Sequence, residues 1–139
     1  MRNEIYEGDF RNGWEEGIGT KTFTNKNIFH GEMKGGQMNG KGKINFHSSG
    51  YFEGEFKDDY YHGFGKLVPS DSSFQYYVGE FYQSKQNGKG KQIENDGGYY
   101  EGEWNEGFKR GKGKSMDSDG SYYEGEWLKT RNMGKELFQ

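Results

Sequence analysis

Apolar and polar residues alternate one by one through short stretches of this chain. In the first stretch the rings of Tyr6 and Phe10 flank Gly8, and the acids Glu7 and Asp9 fill the positions between them. A period of two places the rings and the glycine on one face of a β-strand and the acids on the other face. The pattern therefore predicts strands with one ring-bearing face and one charged face.

The same stretch returns in phase along the whole chain as an aromatic-x-Gly-x-aromatic motif. Its first rings are 23 residues apart, with one spacing of 25, and they are Tyr6, Phe29, Phe52, Tyr77, Tyr100 and Tyr123. A Gly-x-Gly motif begins eleven residues after each first ring, at Gly17, Gly40, Gly63, Gly88 and Gly111, with a lone Gly134 in the last copy. Two signatures that stay in phase over six copies indicate a repeat architecture.

Each repeat is predicted to be one β-hairpin. Residues 11–16 (RNGWEE) carry turn chemistry, alternation resumes at Gly17, and residues 24–27 (TNKN) form the next turn. The longer spacing includes the only proline, Pro69, and is interpreted as an insertion in a turn. Because a lone hairpin is marginally stable in water, we expect the repeats to stack, with rings lying over the bare backbone of the glycines.

Charged residues also recur in phase with the repeat. Acids follow the first ring by one and three positions, as in Glu101 and Glu103, and lysines follow it by twelve and fourteen, as in Lys112 and Lys114. Opposite charges on neighbouring strands form cross-strand pairs that each contribute about 0.2–1 kcal/mol. We therefore interpret the acids and most of the lysines as paired charges of the sheet.

The composition narrows the classes of function. Hydrophobic residues make up 29% of the 139 residues, below the roughly 45–50% of an ordinary globular domain, whereas aromatic residues reach 18%. A net charge of −3 does not favour nucleic-acid binding, and the absence of cysteine excludes disulfides, thiol catalysis and cysteine-ligated zinc. No apolar run approaches the ~20 residues of a membrane span, so a cytoplasmic protein is the expectation.

Three motifs that suggest chemistry are better explained by the repeat. Residues 115–126 approximate an EF-hand loop, but the first position is Ser115 and no helical pattern flanks it. Residues 110–115 (RGKGKS) lack the first glycine of a phosphate-binding loop, since Phe108 stands at that position. The three histidines have no metal-ligand spacing. We therefore predict no catalytic residue, no metal and no cofactor.

Residues 100–127, YEGEWNEGFKRGKGKSMDSDGSYYEGEW, resemble consecutive MORN repeats, and the resemblance extends from Tyr6 to Gly134. It implies an all-β fold, an elongated single-layer twisted antiparallel sheet of successive β-hairpins. The chain would be a single domain over 1–139 with repeats starting near 6, 29, 52, 77, 100 and 123, the last incomplete. Departures occur at Met33 in place of a ring, at Val78 in place of an acid, and at Glu136 in place of a glycine.

The resemblance also implies a function. Members of the family include cytoskeletal and ciliary scaffolds, proteins that tether membranes, and targeting segments of lipid kinases and methyltransferases. We expect a non-catalytic scaffold in a cytoskeletal or ciliary (axonemal) assembly that binds an amphipathic helix or an extended segment of a partner protein. A homodimer or end-to-end pairing of sheets through open strand edges is a further candidate.

The excess of rings supplies the predicted binding surface, since a one-layer sheet cannot bury all of them. About half are expected to form the core, and tyrosines directly ahead of a motif fit the opposite face. The predicted partner-binding residues are Tyr51, Phe52, Phe56, Tyr60, Tyr61, Phe64, Tyr77, Phe81, Tyr99, Tyr100, Trp104, Phe108, Tyr122, Tyr123 and Trp127.

Two alternative functions remain open. The chain could tether membranes by binding anionic phospholipid head groups, with Lys89, Lys91, Lys112 and Lys114 contacting lipid phosphates. It could also be the targeting segment of a larger enzyme, such as a phosphatidylinositol phosphate kinase. The interleaving of glutamate and lysine argues against the lipid hypothesis.

Overall fold

The computed structural model describes residues 4–130, which form a single antiparallel β-sheet. The strand order in this sheet equals the order along the chain, and the sheet is open, so the predicted array of successive hairpins is confirmed. The strands are β1 (Ile5–Arg11), β2 (Trp14–Thr22), β3 (Ile28–Lys34), β4 (Gln37–Asn45), β5 (Tyr51–Lys57), β6 (Tyr60–Val68), β7 (Tyr76–Tyr82), β8 (Lys85–Ile93), β9 (Tyr99–Asn105), β10 (Phe108–Met116) and β11 (Tyr122–Thr130). The Gly134 and Glu136 positions of the sixth repeat lie outside the described residues.

A continuous row of glycines crosses the sheet, one from each described strand. Every member lies opposite a glycine of the next strand, in the order Gly8, Gly19, Gly31, Gly42, Gly54, Gly65, Gly79, Gly90, Gly102, Gly113 and Gly125. First rings lie over this row, and a Cβ atom placed on Gly113 would collide with the ring of Tyr100. The glycines are therefore required by the close approach of rings to backbone, as the sequence predicts.

The core is a row of rings on the same face as these glycines. The second ring of a repeat meets its own first ring edge to face and also meets the first ring of the preceding repeat. Phe56, for example, lies 5.2 Å from Phe52 and 5.1 Å from Phe29 between ring centroids. Edge-to-face contacts at this distance are favourable for aromatic rings. Each repeat therefore completes the core of its neighbour.

The first turn of the repeat is shorter than the sequence pattern predicts. Only Asn12 and Gly13, with φ angles of 53° and 85°, form the turn, and residues 14–16 already belong to β2. Two consecutive positive φ angles are typical of the tight hairpin turn whose twist matches that of the flanking strands. A β-bulge with positive φ at Gly17 accommodates the additional residues of β2, so the prediction of a turn over residues 11–16 was wrong.

The insertion between the third and fourth repeats lies, as predicted, in the connection from β6 to β7. Its residues 69–75 are not part of a strand. Phe74 in this connection is 8% exposed and packs against the ring core. The longer loop is thus anchored to the sheet by one apolar side chain.

Candidate functional site

Nine of the fifteen predicted binding rings lie on the glycine face and build the core. Seven are buried, namely Phe52, Phe56, Tyr77, Phe81, Tyr100, Trp104 and Trp127. Two more, Tyr61 and Tyr123, are partly buried and pack against them. Within the described residues, these nine side chains pack into the ring core on this face.

The other six predicted rings lie on the opposite face, because their positions alternate with those of the core residues. Three of them are about half exposed, Tyr60, Phe64 and Tyr122, and three are partly buried, Tyr51, Tyr99 and Phe108. The structure therefore divides the predicted surface between two faces of the sheet. Binding of a partner by any of these rings stays a prediction.

The face opposite the core contains a trough with a floor of glycine backbone. One wall, which we name the tyrosine-side row, includes Glu53, Lys66, Val78, Lys91, Glu101, Lys114 and Glu124. The other wall, the bulge-side row, includes Glu55, Phe64, Glu80, Lys89, Glu103, Lys112 and Glu126. The trough has a volume of about 750 Å³ from Phe64 to Glu126 and continues as a second part of about 670 Å³ from Ile18 to Phe64.

Acids of the bulge-side row have a structural role that sequence reasoning missed. The Glu103 Oε1 atom accepts a hydrogen bond of 3.0 Å from the backbone N–H of Lys112, directly after the bulge glycine Gly111. Glu55 accepts the equivalent bond from Phe64 at 2.8 Å, and Glu80 the one from Lys89 at 3.2 Å. These carboxylates cap backbone donors that the bulges release from the ladder, a role that adds to their cross-strand position opposite a lysine, as for Glu103 and Lys89.

Charges of the tyrosine-side row lie close to the leading tyrosines. The ammonium of Lys43 is 4.3 Å from the centroid of the Tyr51 ring, and that of Lys91 is 4.5 Å from the Tyr99 ring. Such cation–π contacts contribute about 0.5–1 kcal/mol at exposed sites. The leading tyrosines, which the repeat motif does not require, therefore line the charged face. Tyr51 and Tyr99 contact its lysines, whereas the Tyr122 hydroxyl donates a hydrogen bond of 2.8 Å to the Glu124 carboxylate.

The four lysines predicted to contact lipid phosphates are brought together in the larger part of the trough. Lys89, Lys91, Lys112 and Lys114 all line it, and so do Glu101, Glu103, Glu124 and Glu126. Lys114 lies 3.9 Å from the Glu101 carboxylate. Four positive and four negative side chains leave this lining with no net charge.

The buried tyrosines of the core carry hydroxyl groups that are used structurally. Tyr77 donates a hydrogen bond of 2.9 Å to the backbone oxygen of Glu80, and Tyr100 donates one of 2.9 Å to that of Glu103. Burial raises the pKa of both hydroxyls, and it raises the pKa of Tyr61 to about 12. A hydroxyl with a raised pKa is a poor proton donor at neutral pH.

In the turn that approximates an EF-hand loop, an acidic side chain binds the backbone of the turn. The Asp119 carboxylate accepts a hydrogen bond of 2.9 Å from the N–H of Ser121, two residues further on. Within residues 4–130, no group of three or more His, Asp or Glu side chains is placed to hold a metal ion. That part of the chain also includes no helix that could cross a bilayer.

Comparison of the sequence with models of protein families gives a match to one family. The MORN repeat model matches five consecutive segments, residues 6–28, 29–50, 52–71, 77–99 and 100–122. No curated protein matches the chain.

Proposed function

Because the chain belongs to the MORN repeat family, whose repeats are generally interaction modules for proteins or membranes, we propose that it is a non-catalytic scaffold that binds a partner protein. The observation that carries this proposal is the trough on the charged face. It offers about 750 Å³ of open space over bare glycine backbone, whereas the glycine face is filled by its own rings. A peptide segment of a partner fits this shape, since it can approach the glycine backbone closely and meet charges on both walls.

A charge-reversal experiment tests this proposal. The tagged full chain is used for proximity labelling in cells, in parallel with the double variant Lys89→Glu/Lys112→Glu in the bulge-side row. Lys34→Glu/Lys57→Glu is the matched control, since it changes the net charge equally at exposed positions outside the trough lining. We expect the same partner with the wild type and the control, and its loss with the trough variant. Retention of the partner by the trough variant would contradict the proposal.

We further propose a cytoplasmic, cytoskeleton-associated location, with a cilium or axoneme as the assembly. This part rests on the family alone. Fluorescence microscopy of the tagged chain with tubulin and ciliary markers tests it. A diffuse distribution unrelated to either marker would refute the assignment, and fusion to a catalytic domain in the full gene would favour the targeting-segment alternative.

Binding to anionic lipid is the second candidate function, because the structure groups four lysines along one trough. The four glutamates of the same lining cancel their charge, which is why we rank it below protein binding. Sedimentation with phosphatidylserine vesicles at physiological salt distinguishes the two. Strong binding that is lost in Lys89→Glu/Lys112→Glu would reverse the ranking.

The free edge of β1 and an exposed ring beside it favour end-to-end pairing of two sheets. Among the described residues β1 is paired on one side only, and Phe10 is 60% exposed whereas the equivalent Trp127 is 4% exposed. An unpaired strand edge beside an exposed ring is a template for another strand. Light scattering over a range of concentrations tests self-association, and Phe10→Glu is expected to weaken any dimer.

A further inference from the structure

From Lys43 to Glu124, the tyrosine-side row alternates lysine and glutamate from strand to strand except at Val78 in the fourth repeat. Glu53 lies opposite Lys43 and Lys66, and Glu101 lies opposite Lys91 and Lys114. The equivalent position of the fourth repeat is Val78, which lies opposite Lys66 on one side and Lys91 on the other. Two lysines therefore flank an uncharged, apolar position.

These two lysines keep their positive charges available. Lys66 lies 4.8 Å from the Tyr76 ring and Lys91 lies 4.5 Å from the Tyr99 ring, measured from ammonium to centroid. Among residues 4–130, neither ammonium takes part in an ion pair. A ring contact leaves most of the donors of a lysine free for an anionic ligand. Since neighbouring strands are about 4.8 Å apart, the two lysines can approach one anion from both sides of Val78.

Phe64 adds an apolar contact point beside this gap. Its position in the Gly-x-Gly motif is occupied by lysine in three other repeats, Lys41, Lys89 and Lys112. The Phe64 ring is 57% exposed and lines both parts of the trough. An exposed ring is unnecessary for the fold here, because the lysines of the other repeats occupy equivalent places in the same sheet. Two departures from the repeat therefore coincide in one region of the trough.

We propose that this region, Val78 with Lys66, Lys91 and Phe64, binds an acidic peptide segment of the partner protein. A carboxylate of the peptide accepts hydrogen bonds from Lys66 and Lys91 above Val78, and an adjacent apolar side chain packs on Phe64. The inference rests on the proposed function, and it adds the location and the chemistry of the bound segment. Charge-assisted hydrogen bonds and a desolvated ring are the interactions that typically dominate such contacts.

The charges around the gap favour a peptide over a membrane surface. Glu53, Glu80 and Glu101 lie on the adjacent positions of the two rows. A flat anionic surface would meet these carboxylates together with the lysines, whereas a single carboxylate above Val78 meets the two lysines. The two positions directly opposite Val78 on the neighbouring strands are both lysines, which suits a small anionic group placed above Val78.

Selection from a random peptide display library against the full chain tests the proposal. We expect enrichment of peptides in which Asp or Glu stands next to an apolar residue, and a selected peptide is then synthesised as the probe. Val78→Glu should weaken its binding at least tenfold, because it places a carboxylate between the two lysines. Val78→Gln is the matched control, because glutamine has the size of glutamate but no charge. It should reduce binding far less than Val78→Glu. Phe64→Lys should also weaken binding.

Both Val78→Glu and Phe64→Lys restore residues that other repeats carry, so a folded sheet is expected, and thermal unfolding checks it. No enrichment of acidic peptides, binding that is insensitive to Val78→Glu, or Val78-dependent binding of phosphatidylserine vesicles would each overturn the inference. If the cellular partner is lost with Lys89→Glu/Lys112→Glu but retained with Val78→Glu, the proposed function stands and this inference fails.

Discussion

Phe29 and Phe56 meet edge to face across the boundary between the second and third repeats, with ring centroids 5.1 Å apart and planes at 79°. The same relationship joins Phe52 to Phe81, Tyr77 to Trp104, and Tyr100 to Trp127. Ring contacts between neighbouring repeats therefore stabilise the array together with the contacts inside each hairpin. This is expected for proteins in which each repeat contacts only its neighbours.

Replacement of Phe56 by alanine is predicted to cost about 3–5 kcal/mol, because it removes a buried ring and leaves a cavity between two repeats. Phe64→Ala is the matched control, since the same side chain is 57% exposed on the other face, and it should change stability by no more than about 0.5 kcal/mol. Urea unfolding of both variants measures the difference. Equal effects would show that ring burial is not what stabilises the sheet.

A side chain on the glycine row should disturb the rings above it. Gly113→Ala places a Cβ atom against the ring of Tyr100, and such overpacking typically costs about 1–3 kcal/mol. In a Tyr100→Ala background the added cost should largely disappear, because the colliding ring is absent. A double-mutant cycle from thermal or urea unfolding measures the coupling. Simple additivity of the two changes would contradict this explanation of the row.

Two glutamates of one strand are predicted to differ in their effect on stability. Glu103 accepts a backbone hydrogen bond at the bulge, so Glu103→Ala should cost about 1–3 kcal/mol. Glu101 makes a half-exposed ion pair of 3.9 Å with Lys114, so Glu101→Ala should cost about 0–1 kcal/mol. Unfolding free energies of the two variants decide the matter. A larger loss for Glu101→Ala than for Glu103→Ala would mean that the ion pair of Glu101 stabilises the sheet more than the backbone hydrogen bond of Glu103.

Stability is expected to fall as the pH rises from 10 towards 12. Burial of Tyr61, whose ring stacks on Phe52 at 3.9 Å, raises its pKa from 10.0 to about 12. In this interval the unfolded chain loses the Tyr61 proton while the folded chain keeps it, so unfolding becomes more favourable. The contribution is complete below pH 10 and is lost as the pH passes through the folded pKa.

The pH dependence of urea unfolding for the wild type and Tyr61→Phe measures this contribution. The variant should lose less stability over the same interval, although Tyr77 and Tyr100, whose pKa values are also raised, still contribute. Identical pH dependence of the two proteins would contradict the assignment. The ultraviolet absorbance of tyrosinate gives an independent reading of the titration.

The sequence by itself determined the hairpin order, the glycine row and the alternation of each repeat between a ring-bearing face and a charged face. These features depend on alternation with a period of two and on the need of a ring for bare backbone, and both are visible in a motif as short as YYEGEW at residues 99–104. Local chemistry is enough for them because a hairpin pairs residues that are close along the chain.

Tertiary structure decided which rings are buried and what each acid does. Phe10 and Trp127 hold the same place in the motif, yet Phe10 is 60% exposed and Trp127 is 4% exposed. Trp127 packs against Tyr100, the first ring of the preceding repeat, whereas among the described residues Phe10 has a ring contact only with Tyr6 of its own repeat. Glu101 and Glu103 likewise differ because a bulge on the neighbouring strand releases a backbone N–H beside only one of them. Burial depends on rings of neighbouring repeats, and the hydrogen bond of Glu103 depends on a bulge in the paired strand of its own repeat. The motif on one strand contains neither.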